Sequence, residues 1–354
     1  LEDFLINRFG KTLYNLFFKD YTEKVWGEPC HTIDASWGAQ RIKGLSIRKA
    51  ILHALTPKKD SAVDQKNTET SLINRFLYPQ YGPGQLWEIT ADAVRKHGGQ
   101  IHMHTLATGI YYDNFLAKSV EIKCLKTGTT QRLPADYVIS TMPVKTLVNS
   151  LSPQPPADVC RVANGLKYRD FITIGLLLDK LSVQSSTTSQ TMLPDTWIYI
   201  QERDVSIGRL QIFNNWSPYM LSDPSKTWLG LEYFCYEGDA LWEASDSDLI
   251  KRGTTELAKI GLIDPADVRD AVVIRVPKTY PAYFGTYNQF HVIRDFTDQI
   301  TNLFLIGRNG QHRYNNQDHS MLTGMIAAEH IMTGKKAKSD LWSVNTEQDY
   351  HESK

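Results

Sequence analysis

The sequence carries no excess of charge of either sign. Among its 354 residues Lys and Arg total 39, and Asp and Glu also total 39, so the formal net charge is zero. A protein that tracks a phosphate backbone ordinarily has a basic surplus, so nucleic-acid binding is not indicated. Long apolar runs are missing too. No stretch approaches the length of a membrane span, and the first residues lack the pattern of a signal peptide. The 4 cysteines (Cys30, Cys124, Cys160 and Cys235) are widely spaced with no CxxC pair, and they read as reduced thiols of a cytoplasmic protein. HExxH, GxSxG and Walker patterns are absent, so chemistry would have to come from a bound cofactor. His102 and His104 alternate along an expected strand, but no third ligand accompanies them and no metal site is read there.

What is present is a globular composition, 42% hydrophobic and 22% charged, long enough for two domains. Aromatics are plentiful (8 Trp, 17 Tyr and 13 Phe), which suits a broad ligand cleft or a large core equally. The most informative stretch lies near the end. Residues 303–306 form a continuous apolar run, as in a strand buried on both faces. Gly307-Arg-Asn-Gly310 then breaks it. From Asp318, taken as the N-cap, a helix is expected with Met321, Met325, Ala328 and Ile331 on one face, ended by Gly334. A strand, a glycine turn and a helix aiming its free N–H groups at that turn can hold an anion or a polar ring. Arg308, Arg313, Tyr314, Asn315, Asn316 and Gln317 crowd the bend, more polar groups than chain reversal needs.

Elsewhere, residues 1–18 place Phe4, Leu5, Phe9, Leu13, Leu16 and Phe17 on one helical face, and the chain starts at Leu1 inside this pattern, as a fragment or processed chain does. Short helices are expected over 36–42 and 47–55, with Arg41, Lys43 and Arg48 forming either a solvated basic face or a phosphate clamp. A charged surface loop is expected over 58–71, then a Gly82-Pro-Gly84 turn leading into a helix that ends at Gly98. Strands are expected over 101–105, 108–112, 119–125, 131–133 and 136–141, with a boundary at Pro153. An antiparallel set follows (171–178, 197–201, 209–213 and 228–234), separated by a polar connector over 181–193. Asp246 and Asp248 open a helix that Gly261 ends, and they suit its dipole. A strand over 272–276 runs into an aromatic-rich loop over 278–287 bearing Tyr280, Tyr283 and Tyr287.

Several stretches together resemble the flavoprotein superfamily of UDP-galactopyranose mutase, protoporphyrinogen oxidase and the amine oxidases. Leu16-Phe-Phe-Lys-Asp-Tyr-Thr-Glu-Lys-Val-Trp-Gly27 is similar to the mutase pattern FFxxYTEKQWG. Tyr81-Gly-Pro-Gly-Gln-Leu-Trp87, Asp136-Tyr-Val-Ile-Ser-Thr-Met-Pro143 and the segment from Gly307 to Asp318 match further superfamily motifs in the same order. The resemblance implies an α/β (α+β) fold, with an incomplete FAD-binding Rossmann-like domain and a substrate domain of antiparallel sheet and helices. Its parts would be a helical substrate-domain portion (1–75), partial FAD domain (76–150), antiparallel substrate domain (151–300), C-terminal FAD segment (301–335) and tail (336–354).

It also implies non-covalent FAD in the full-length protein. Gly307 and Arg308 would lie against the pyrophosphate and ribityl chain, and Asp318 would bond the ribityl region. Gly310, His319 and Ser320 would complete the cofactor contacts, the helix from His319 aiming at the flavin edge. For substrate, Tyr314 matches a mutase tyrosine that contacts a diphosphate, and Trp26 lies in the segment walling the cleft. Arg41 and Arg48 are candidates for a diphosphate clamp, with Tyr283, Tyr287 and Asn316 nearby. His312 stands where the mutase pattern has an aromatic residue, and Gln317 where it has methionine. The superfamily's GxGxxG unit is not in this sequence, which implies a truncated chain, inactive alone. The implied activity is hydride transfer from a small-molecule substrate to flavin N5. The alternatives are mutase-like action on a nucleotide sugar through reduced flavin, or a cofactor-free remnant. No catalytic side chain is singled out, and a homo-oligomer is among the partners considered.

Overall fold

The computed structural model describes residues 1–35, 38, 77–183 and 193–344. The helices expected over 36–42 and 47–55, the loop over 58–71 and the basic residues Arg41, Lys43 and Arg48 lie outside the described residues. In chain order the principal elements begin with helices α1 (Glu2–Phe9), α2 (Lys19–Trp26) and α3 (Gly84–Lys96). Strands β1 (Thr105–Asp113), β2 (Leu116–Cys124), β3 (Thr130–Pro134) and β4 (Val138–Ser140) follow. Then come α4 (Val144–Ser150), β5 (Leu151–Ser152), α5 (Ala157–Gly165) and β6 (Leu166–Leu178). Next are β7 (Trp197–Tyr199), β8 (Arg209–Ile212), β9 (Thr227–Cys235), α6 (Asp246–Lys259) and β10 (Val268–Gly285). The last are α7 (Phe290–Gln299), β11 (Leu303–Leu305), α8 (Gln317–Thr333) and α9 (Ser339–Ser343).

The described residues divide into two compact units, those within 1–100 with those within 170–277, and those within 101–169 with those within 278–344. In the first unit the expected single helix over 1–18 is broken. Gly10, at φ 81, ends α1, and a π-helical turn over Tyr14–Phe18 precedes α2. The wide turn changes the angular step per residue, so the apolar face does not continue. Leu5 and Tyr14 are buried, whereas Leu13, Leu16 and Phe17 point outward. The antiparallel sheet runs β10-β6-β9-β8-β7. β6 and β9 pair from Asp170↔Cys235 to Leu178↔Thr227, which stacks Ile172, Ile174, Leu176, Leu229, Leu231 and Tyr233 into one core. Leu249 and Leu257 of α6 enter the same core. Gly253 lets that helix come close, since an added Cβ there would lie 3.0 Å from Leu231. The strand expected over 272–276 is longer than its pattern suggests. β10 continues through the supposed aromatic loop to Gly285, past a left-handed Lys278 at φ 55.

The second unit holds a sheet ordered β3-β2-β1-β5 and a separate parallel pair, β4 with β11. The expected strand over 101–105 is only its last residue. β1 starts at Thr105, and His104 sits in a turn at φ 54, so His102 and His104 do not share a strand face. Val144, Leu147 and Val148 of α4 meet Val159 and Val162 of α5 and Ile293, Phe296 and Ile300 of α7 in this unit's core. Buried Asn302 ties β11 to its neighbours. Its amide donates to Ala117 O at 2.9 Å and Asp136 O at 2.6 Å, while its oxygen accepts from Ala117 N at 2.8 Å.

Candidate functional site

All three residues of β11 are buried, and they pair in parallel with β4 as Leu303↔Val138, Phe304↔Ile139 and Leu305↔Ser140. Each strand runs directly from its carboxyl end into a helix-bearing turn. Crevices outside the carboxyl ends of parallel strands are where open α/β sheets bind ligands. Two glycines shape the β11 turn. Gly307 adopts φ 71, which glycine alone takes without strain, and its N–H donates to Thr323 Oγ1 at 3.0 Å. A Cβ added there would meet nothing closer than Ser320 at 3.9 Å, so the approach to this backbone is open. Gly310 has no such room, because its Cβ would lie 2.7 Å from Ser140 O. Beside this contact, Ser140 Oγ and Asn309 Oδ1 are buried without a hydrogen-bond partner.

The N-cap of α8 lies two residues before the expected Asp318. Asn316 is the N-cap, its side chain accepting from the His319 backbone while His319 Nδ1 accepts from Asn316 N at 3.4 Å. This reciprocal box satisfies two end groups, and Asp318, within the first turn, carries a charge of the sign that complements the helix dipole. His319 Nδ1 also lies 3.2 Å from Asp318 Oδ1. Gly334, at φ 70, ends the helix as expected. The buried residues are Thr323, Ala327 and His330; of the expected face Ile331 packs against the core, while Met321, Met325 and Ala328 are exposed. Met325 is 68% exposed, because a helix with polar residues along its inner line reads misleadingly as amphipathic the other way round.

Arg308 turns toward protein groups. Its Nε donates to Asn315 O at 2.8 Å and its Nη1 to Thr279 O at 3.1 Å. The guanidinium carbon lies 4.6 Å from the Tyr314 ring centroid and 5.4 Å from that of Tyr280. Those two rings are parallel within 5° at 5.8 Å. Tyr314 N donates to Tyr283 Oη at 2.8 Å, and Tyr283 packs on Tyr287 at 4.6 Å. Behind them sits His312, fully buried, with φ 46 and rings of Tyr168, Tyr287 and Phe290 around it. Its Nε2 lies 3.1 Å from Ala282 O. Burial pushes its pKa down to about 4, and burial pushes Tyr168 up to about 12. The neutral imidazole therefore donates from Nε2, which leaves Nδ1 as a buried acceptor with no partner.

The turn and helix start thus gather Gly307, Gly310, Asn316, Asp318, His319 and Ser320, and the aromatic wall gathers Tyr283, Tyr287 and Tyr314. Trp26 belongs to the other unit and is 1% exposed, within its core. Arg41 and Arg48 lie outside the described residues. Sequence reasoning passed over Ser140, Asn309 and Tyr168. Only Ser140 carried a signal, as the residue at which the apolar run after Asp136 turns polar.

A family model described as flavin containing amine oxidoreductase matches residues 52–332. Among solved structures, a reduced UDP-galactopyranose mutase aligns with TM-score 0.73 at 20% identity, over 99% of this chain and 72% of its own. A protein from Exiguobacterium sp. 255-15 described as "Putative protoporphyrinogen oxidase" aligns with TM-score 0.59 at 17% identity, over 87% of this chain and 62% of its own. At these identities the likeness is one of fold.

Proposed function

The chain belongs to the flavin containing amine oxidoreductase family, and from that premise we propose that FAD is held at the carboxyl ends of β4 and β11. The residues there suit such a group. The open backbone at Gly307 permits close approach, and the first-turn N–H groups of α8 favour negative charge. Ser140 Oγ and Asn309 Oδ1 are buried polar atoms in want of partners, and a ligand rich in hydroxyl and N–H groups supplies them. Bound flavin would supply a two-electron acceptor for a substrate hydride. Tyr280, Tyr283, Tyr287 and Tyr314 form the wall that would orient a substrate and exclude water. Arg308 serves this wall by fixing the bend from inside, through Asn315 and Thr279, and not by reaching outward. The observation that carries the reading is the parallel β4/β11 pair ending on Gly307. Titrating the purified protein with FAD should give a bound visible spectrum, and anaerobic addition of amine or porphyrinogen substrates should bleach it. If FAD does not bind, the reading fails.

A second reading, action on a nucleotide sugar through reduced flavin, is favoured by the parallel Tyr280 and Tyr314 rings with a cation beside both. Aromatic faces held parallel, with Arg308 fixing them from inside, suit stacking against a base or a sugar ring. UDP-sugar titration of the reduced, FAD-loaded protein decides it, and no binding would remove it.

A further inference from the structure

The bend between the glycine turn and α8 has a second set of supports, and all of them come from the short helix α9 and its flanks. Gln311, 2% exposed, donates from Nε2 to Leu341 O at 2.9 Å. Arg313 Nη1 donates to Trp342 O at 2.7 Å and Val344 O at 3.1 Å. A helix of 5 residues leaves its last carbonyls without intrahelical donors, and a guanidinium at that end is favoured by both hydrogen bonding and the dipole. The same two residues lead into the candidate site. Arg313 N donates to Arg308 O at 3.0 Å, and Asn315, whose carbonyl receives Arg308, lies with its Nδ2 3.5 Å from Gln311 Oε1. Tyr314 and the N-cap Asn316 are carried between these fixed points.

The segment bearing α9 is itself anchored away from the bend. Lys338 Nζ donates to Ile300 O at 2.8 Å and Leu303 O at 2.7 Å. Trp342 Nε1 donates to both carboxylate oxygens of Asp298 at 3.0 Å. Leu341 is buried against Phe304 and Ala327. The strap is therefore fastened to α7, β11 and α8 on one side and to the bend on the other.

We infer that residues 338–344 form a positioning strap for the site, and that Arg313 is the positioning residue through which it sets Tyr314 and the start of α8. Arg313 does not contact a ligand in this scheme. It fixes where the ligand-facing groups stand, and because one nitrogen, Nη1, serves both carbonyls, a Lys ammonium with its three donors can keep part of that anchorage.

The FAD arm of the test rests on the reading proposed above, whereas the exchange arm does not. Arg313→Met, Arg313→Lys and Trp342→Phe are compared with the unaltered full chain by amide hydrogen exchange and by FAD titration. The expected result is faster exchange confined to residues 311–319, tenfold or greater loss of FAD affinity in Arg313→Met, and partial recovery in Arg313→Lys. Trp342→Phe, which loosens the strap without touching the bend, should loosen 311–319 in the same way. If protection falls equally in β1 and β2, or if 311–319 is unchanged in both Arg313→Met and Trp342→Phe, the strap is overturned. If the unaltered protein binds no FAD while exchange behaves as expected, the cofactor reading falls and the strap stands.

Discussion

His312 concentrates the residue-level physics of the site. Its neutral ring is walled by Tyr168, Tyr287 and Phe290, and a charge there would be desolvated with no counter-charge. The folded pKa, about 4, lies below the ordinary 6.5, so in that window the unfolded chain binds a proton that the folded chain refuses. Stability is then fully present above 6.5 and is lost as pH falls toward 4, by about 3 kcal/mol in total. Asn tolerates the left-handed backbone at this position and does not titrate, although its shorter amide gives up the bond that Nε2 makes to Ala282 O. His312→Asn should therefore flatten the loss in urea midpoint between pH 6.5 and 4.5. Equal slopes in both proteins would show that the dependence arises elsewhere. None of this burial could be read from the sequence, where His312 stands in a polar run beside Arg313. Its neighbours come from β6, β10 and α7, and sequence spacing says nothing about which strands will deliver aromatic rings to one place.

Among elements, the glycine turn separates two kinds of constraint that the sequence does not distinguish. Gly307 has space but a left-handed backbone, while Gly310 has no space against Ser140 O. Gly307→Ala should cost about 1–2 kcal/mol through backbone strain. Gly310→Ala should cost about 1–3 kcal/mol by forcing the turn off β4, and it should also raise exchange at the Ile306 N–H, which donates to Ser140 O of β4 at 3.0 Å. Urea unfolding and exchange measure both, and a variant Gly310→Ala with unaltered β4 protection would refute the steric account. The strand, turn and helix were legible here because each has a local cause: an apolar run, glycines and a C-terminal Gly334. Helices α4, α5 and α7 were not expected, since each is short and its burial depends on the other two. The aromatic stretch of β10 was read as a loop because Tyr, Pro and Gly are turn-like in isolation, and only pairing in the sheet overrides that. The N-cap moved to Asn316 because Asn and Asp cap equally well, and His319 decides between them.

Taken whole, the molecule joins zero net charge to apolar surface. Its sequence isoelectric point is about 7.3, so near neutrality little long-range repulsion separates copies. Among the described residues, α3 buries none of its side chains, and it exposes Leu86, Trp87, Ile89 and Val94 by 42, 44, 62 and 41%. The outer face of α8 exposes Leu322, Met325 and Met332 by 45, 68 and 79%. Scattered apolar residues are ordinary on a surface, but contiguous helical stripes of them favour association. Both conditions meet at the isoelectric point, so solubility should pass through a minimum close to pH 7.3 and rise on either side. The paired variant Trp87→Lys with Met325→Glu keeps the net charge and interrupts both stripes. If apolar contact drives the association, that variant should remove the minimum and lower binding of a hydrophobic dye at pH 7.3. If charge balance alone drives it, the minimum should persist in the variant and vanish in 0.5 M salt, where the Debye length is about 4 Å against about 30 Å in 0.01 M buffer. Precipitation curves across pH 6–9 for the two proteins separate these causes, and a flat curve for the unaltered protein would dismiss both.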